Sequence, residues 1–223
     1  RERAAAGAAM AWAPAVGLLL GVIASAVLLL ADHPLGAGPL TASGLAVGSL
    51  ALLTRGLHLD GLADLADGLA SGKPAPAALD IMRRSDIGPL GVVTLVLTLL
   101  LQVAALSQAE SAGHGRGPAA LIAAVVTGRL ALTWACRRGV PAARPDGLGA
   151  LVAGSVRPVV PAMATVVTLA AAAAVAISAT VAGGQLGWTL PLAVAAGLAT
   201  AFAVQRHAVR RLGGITGDVL GAL

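Results

Sequence analysis

Three aspartates, Asp60, Asp64 and Asp67, stand at i, i+4 and i+7 in the run Arg55-Gly-Leu-His-Leu-Asp-Gly-Leu-Ala-Asp-Leu-Ala-Asp-Gly-Leu-Ala-Ser71. At about 100° per residue, a helix would hold them within roughly 60° of one another. Gly56, Ala63 and Ser71 share that face and Gly61 and Gly68 lie on its edge, while Leu59, Leu62, Leu65 and Leu69 fall on the opposite side. No Lys or Arg occupies an i±4 position to relieve the repulsion, so the stripe needs a cationic partner from elsewhere. A hard divalent cation such as Mg²⁺, held by carboxylate oxygens and completed by a substrate phosphate, answers that need. Gly61 and Gly68 would then let phosphates approach the backbone. A solvated acidic face accounts for the spacing equally well, and a path for ions or protons is a third reading. The scarcity of charge elsewhere in the chain favours a functional stripe.

Downstream stand Lys73 and then Asp80-Ile-Met-Arg83-Arg84-Ser85-Asp86. Arg83 and Arg84 can each pair with Asp80 across one helical turn, a plain surface ion pair. Alternatively they face the acidic stripe as a phosphate clamp, since a guanidinium grips phosphate bidentately. Asp86, one turn before an apolar run, is a candidate base or further ligand. Arg144 and Asp146 in Ala-Arg-Pro-Asp-Gly, and Asp218 in Gly-Gly-Ile-Thr-Gly-Asp-Val, are later candidates. Asp146-Gly147 reads first as a turn, and Thr216 or Asp218 as a helix cap.

The elements that must position these residues are membrane spans. Of 223 residues, 57% are hydrophobic, 11% charged and only 2% aromatic, and mean hydropathy is +0.88. A water-facing surface cannot be covered from such a composition, so the chain reads as an all-α, polytopic membrane bundle. Six stretches are long and apolar enough to cross: Ala8–Leu30, Leu35–Leu53, Gly88–Leu106, Ala119–Cys136, Val159–Val181 and Trp188–Val204. Arg129 is the only Lys, Arg, His, Asp or Glu within them, and it is expected to snorkel or, by preference, to pair with a carboxylate of another helix. The acidic run becomes an amphipathic helix just past the second span. No internal repeat or long linker divides the chain, so residues 1–223 form one domain. The abrupt ends, Arg1 and Leu223, suggest trimming and a missing apolar segment at the C-terminus.

Weaving the chain from an inside N-terminus places Arg1, Arg3, Arg55, Lys73, Arg83, Arg84, Arg137, Arg138, Arg144, Arg157, Arg206, Arg210 and Arg211 on one side, which is 13 of the 15 basic residues. The positive-inside rule makes that side cytoplasmic. It also accounts for the net charge of +5 without a nucleic-acid partner. The lone Cys136 excludes an internal disulfide. His33, His114 and His207 show no ligand spacing, and His58 projects to the leucine side of the acidic helix as a packing or hydrogen-bonding residue.

The runs GLHLDGLADLADGLASG and IMRRSDIGPLG resemble those of the membrane-bound cobalamin synthases, the adenosylcobinamide-GDP ribazoletransferases. ARPDGLGALV at Ala143–Val152, RRLGGITGDVLGA at Arg211–Ala222 and the opening AAGAAMAWAPAVGLLLG extend the resemblance, in order, over essentially the whole chain. The resemblance implies a Mg²⁺-dependent enzyme of a prokaryotic inner membrane with its site facing the cytoplasm. Such an enzyme joins adenosylcobinamide-GDP to α-ribazole or its 5′-phosphate and releases GMP. On that footing Asp60, Asp64 and Asp67 would hold the metal, and Arg83, Arg84 and Asp86 would be catalytic. Gly61, Gly68, Lys73, Arg144 and Asp218 would contact substrate. The partners are these small molecules and the lipid bilayer, with room for a homo-oligomer. The order Arg84-Ser85-Asp86 departs from the family pattern, which has Asp before the Ser and Arg after it. A CDP-alcohol phosphotransferase also uses Asp-x-x-Asp-Gly, which Asp64–Gly68 obeys, but the Ala-Arg and further spaced aspartates of that pattern are missing. An ion-coupled transporter would call for charges at bilayer depth and inverted repeats.

Overall fold

A computed structural model describes residues 2–84, 86–113, 115–181 and 188–223. Arg1, whose charge was counted on the basic side, lies outside the described residues, as do Ser85, His114 and 182–187. The described chain is helical: α1 (Glu2–Ala11), α2 (Ala13–Asp32), α3 (Pro39–Leu53), α4 (Leu57–Ala70), α5 (Ala75–Ile81), α6 (Pro89–Ser111), α7 (Arg116–Ala135), α8 (Gly147–Val152), α9 (Val159–Val181), α10 (Thr189–Leu212) and α11 (Gly217–Gly221). Two isolated bridges, Arg137 with Val156 and Ala142 with Ile215, are the only β-type pairings among the described residues.

Five of these helices, α2, α6, α7, α9 and α10, are long and apolar enough to cross a membrane; α3 and α4 form a sixth, bent unit, turned by 89° at the break between them. Five of the six expected spans thus appear as single long helices with shifted ends, while the expected Leu35–Leu53 span is the 15-residue α3, which reaches spanning length only together with the acidic helix α4. The first span starts at Ala13 rather than Ala8. The helix breaks at Trp12, and Pro14 sits in the first turn of α2, where its missing N–H costs no hydrogen bond. The last span continues past Val204 to Leu212 and carries Arg210 and Arg211 in its final turn. Large apolar side chains such as Leu19, Leu101, Val166, Val167 and Leu192 stand exposed on the outer faces, where lipid rather than water meets them.

The helices α2, α3, α6 and α7 pack in a ring, each on its two neighbours, and α9 and α10 flank α7. Small residues set the closest approach. A methyl at Gly21 would lie 3.0 Å from the Ile122 Cα, and one at Gly17 would lie 2.9 Å from the Arg129 Cγ. Inside the ring is a cavity of about 490 Å³, whose wall includes His58, Gln102 and Arg129. No ion pair holds Arg129 among the described residues, so the expected carboxylate pairing is absent. The physical reason is direction: Arg129 faces the cavity with the leucine side of α4, and the acidic stripe is on the other side of that helix.

A second core closes the basic end of the ring. Leu65 of α4, Met82, Cys136, Val152, Leu212, Ile215 and Val219 bury one another there, drawing α4, α5, α8, α10 and α11 into one cap. Because α2 and α7 meet through glycines, Gly21→Leu is expected to cost about 1–3 kcal/mol by overpacking. The same change at Gly48, which has no atom within 4 Å of where a Cβ would stand, should be close to neutral. Thermal unfolding of both variants in detergent checks this.

Candidate active site

The site begins where α3 ends. Thr54 Oγ1 donates to the Leu50 carbonyl at 2.8 Å and is hydrogen-bonded with His58 Nδ1 at 2.9 Å. Arg55 and Gly56 follow with φ of 54° and 68°, two successive left-handed residues, a conformation a side chain resists and glycine accepts. The chain turns there, and α4 lies across the basic end of the bundle instead of continuing through it. His58 stays on the leucine side, as its position in the helix dictates. Asp60 is exposed, and Asp64 and Asp67 are half-buried.

α11 rests directly on α4. A methyl at Gly61 would stand 2.8 Å from the Asp218 carbonyl oxygen, and one at Gly221 would stand 3.0 Å from that of Leu57. Two turns further on, a methyl at Gly68 would collide with Met82, itself only 3% exposed. Gly61 and Gly68 are therefore not open to phosphate, contrary to the sequence reading. Their smallness is used for contact with the chain itself.

The close approach at Gly61 brings Asp218 to the acidic stripe. Thr216 caps α11 by accepting the Val219 N–H at 3.1 Å, and its Oγ1 is 3.2 Å from Asp218 Oδ2. The Ala143–Val152 motif arrives by backbone pairing: Ile215 N–H donates to the Pro141 carbonyl at 2.9 Å, and Ala143 N–H donates to that of Ile215 at 3.0 Å. Arg144 is thereby held with one guanidinium nitrogen on the Leu79 carbonyl and the other 3.9 Å from Asp218 Oδ2. Its Nε is buried and without a hydrogen-bond partner.

These groups share one electrostatic field. Asp64 is pushed up to about 6, first by burial and then by the charges of Asp60, Asp218 and Asp67, with Arg144 opposing. Asp218 is also raised, by burial first and by Asp60 too, against Arg144 and the Thr216 hydroxyl. Four carboxylates thus act on one another with a single guanidinium among them, an arrangement short of positive charge. Asp67, however, spends both oxygens on backbone: Gly88 N–H donates to Oδ2 at 2.7 Å and Gly91 N–H donates to Oδ1 at 2.8 Å.

The remaining candidates sit around the rim. Arg83 Nη2 alone donates to both carboxylate oxygens of Asp146, at 2.7 and 2.9 Å, rather than pairing with Asp80, because Arg83 faces the loop that starts α8. Arg84 and Asp86 are exposed. Lys73 is exposed as well, and its carbonyl accepts from Arg211 at 3.4 Å. Among the described residues, the trio of His, Cys, Asp or Glu side chains with ligand atoms within 4.8 Å of one another is Asp32, His33 and Glu110, at the opposite end of the bundle. Asp60, Asp64 and Asp67 do not form such a trio. From sequence, His33 has no role and Asp146 is a turn residue before a site residue; no local spacing marks the pairing of Asp146 with Arg83, 63 residues away.

Over residues 1–223 the chain matches the profile of a family described as cobalamin-5-phosphate synthase. It is 47% identical to the adenosylcobinamide-GDP ribazoletransferase of Frankia casuarinae, covering 100% of this chain and 82% of that protein. It is 38% identical to the enzyme of the same name from Nocardioides sp., covering 99% and 83%, and 39% identical to that of Stutzerimonas stutzeri, covering 94% and 79%. No solved structure matches it.

The weakened acidity of Asp64 has a consequence for stability. Between its ordinary value near 3.8 and about 6, the folded state keeps a proton that the unfolded chain has released, so stability falls as pH rises through this window. Above it the charged Asp64 is a standing cost. Asp64→Asn should therefore melt at a higher temperature than the parent at pH 7, in the absence of divalent cations. The difference should close as the pH is lowered toward 4, as read by thermal scans in detergent.

Proposed function

The chain belongs to the cobalamin-5-phosphate synthase family, and from that premise we propose that its reaction runs on the face of α4 that carries Asp60 and Asp64. The reaction joins adenosylcobinamide-GDP to α-ribazole, or to its 5′-phosphate, and releases GMP. A ribose hydroxyl oxygen forms a bond to the phosphorus attached to the cobinamide, the bond from that phosphorus to the GMP oxygen breaks, and the hydroxyl proton passes to a base. Negative charge gathers on the phosphoryl oxygens and on the departing GMP, so the protein's task is mostly positioning and charge stabilisation.

The observation that carries this reading is the convergence of Asp60, Asp64 and Asp218 with Arg144 at the basic end of the bundle. Oxygen donors set where burial first, and neighbouring carboxylates second, raise Asp64 to about 6 suit a hard divalent cation. Asp60 and Asp64 would hold Mg²⁺, which needs only one or two carboxylates when substrate phosphate completes the shell. Bound there, Mg²⁺ supplies positive charge to phosphate oxygens. Arg144, already fixed by the Leu79 carbonyl, presents its guanidinium to the same region. Arg83, whose Nη2 holds both oxygens of Asp146, can exchange that carboxylate for a phosphate. Arg84 and Lys73 add exposed positive charge for a polyanionic substrate, and Asp86 is the candidate proton acceptor. The 13-residue basic bias supports a cytoplasmic orientation of this end, in the inner membrane of a prokaryote.

GMP release from adenosylcobinamide-GDP, measured in liposomes, tests the assignment. Release that requires both α-ribazole and Mg²⁺, that EDTA stops, and that falls at least about 100-fold in Asp64→Asn and Arg144→Ala is the expected result. Release that survives in Asp64→Asn would keep the reaction and move its metal elsewhere.

A further inference from the structure

The geometry points to Asp67 as the residue that positions Arg83, Arg84 and Asp86, by capping the span that follows them, rather than as a third ligand of the cation. The inference rests on the site proposed above. The first N–H groups of any helix lack partners within it, and those of α6 have none supplied locally. Its N-cap is Gly88, which has no side chain to offer, Pro89 has no N–H, and no acidic residue stands in its first turn. Asp67, from α4, fills the gap. Its two oxygens take the N–H of the N-cap residue, Gly88, and the N–H three residues on, at Gly91. These are the two donors that a capping box satisfies with two separate side chains, and here one carboxylate from another helix satisfies both. Its negative charge also faces the positive end of the α6 dipole.

The surroundings are shaped to this contact. A methyl at Gly88 or at Gly91 would collide with the Asp67 carboxylate, so both glycines leave the space it occupies. Next to Asp67 in sequence, Gly68 takes Met82 against its backbone. One turn of α4 therefore grips both ends of the short segment from Met82 to Gly88, and between those grips stand Arg83, Arg84 and Asp86. Their distance from Asp60 and Asp64 is set by α4 itself. The carboxylate that does this has each oxygen committed to an N–H, and it does not gather within 4.8 Å of both other aspartates.

Two variants separate this role from metal ligation. Asp67→Asn keeps one acceptor and replaces the other by a donor, and Gly91→Ala pushes the carboxylate away while leaving its charge intact. In the full chain in detergent, free of metal, both should raise amide hydrogen exchange at Gly88 and Gly91 by about tenfold or more. Both should leave Mn²⁺ affinity, titrated by electron paramagnetic resonance, within about twofold of the parent. They should also lower kcat on the order of 10- to 100-fold, as displaced reacting groups do. Asp64→Asn should show the reverse, with parental exchange at Gly88 and Gly91 and Mn²⁺ affinity reduced at least about tenfold. Parental exchange in Gly91→Ala, or a loss of Mn²⁺ affinity in Asp67→Asn matching that in Asp64→Asn, overturns the inference. If Asp64→Asn itself keeps Mn²⁺, the cation site fails, while the exchange data still decide whether Asp67 is the cap. Should Asp67→Asn not fold, Gly91→Ala carries the test alone.

Discussion

The left-handed pair Arg55 and Gly56, which turns the acidic helix back over the spans, is the constraint on which the cap depends. Had the second span run on straight, Asp60, Asp64 and Asp67 would have been carried off the basic end, away from α6 and α11. The 89° turn instead lays α4 across the end of the ring of spans. Its leucines and His58 are then directed down into the bundle and its aspartates outward. Arg55 pays a conformational cost at φ 54° that is offset by the burial of Leu65 and its neighbours in the cap core.

From that one placement the rest of the cap follows. α11 reaches α4 only because Gly61 and Gly221 have no side chains, and Asp218 comes within the field of the stripe as a result. Backbone pairing of Ile215 with Pro141 and Ala143 ties the two late motifs together, so Arg144 is delivered by a contact that involves none of its own side-chain chemistry. Segments about 80 and 150 residues downstream of α4 thereby meet on its surface. The field they make there is unfavourable to the protein alone, since burial and like charge both resist ionisation of Asp64. Crowded carboxylates of this kind mark a candidate site for a positive species.

What could be read from the sequence was whatever depends on spacing within one element. The angle between Asp60 and Asp64 follows from helical pitch, the spans follow from runs of Leu, Val and Ala, and the basic bias follows from counting charges between them. What could not be read was contact across elements. The glycines at 61 and 68 look the same in sequence whether they admit a phosphate or a neighbouring helix, and the second is what they do. Arg83 has Asp80 within one turn, yet its partner is Asp146, 63 residues away. Arg129 has no carboxylate partner among the described residues because the helix that carries the aspartates shows it the wrong side. The family resemblance supplied the chemistry, but it could not say which of three aspartates is free to perform it.

α4 resolves that question by using each of its faces for a different task. Leu62 and His58 look into the ring, Gly61 receives α11, Gly68 receives Met82, Asp67 closes α6, and Asp60 and Asp64 are left facing outward. A helix so committed has little freedom to shift, since a rotation of one residue, about 100°, would break every one of these contacts together. The outward pair of carboxylates is consequently held by the same packing that holds the cap to the membrane bundle. Precision at the site and stability of the cap are one property of α4, which is why its residues are small or acidic wherever they are not leucine, apart from His58 in its first turn.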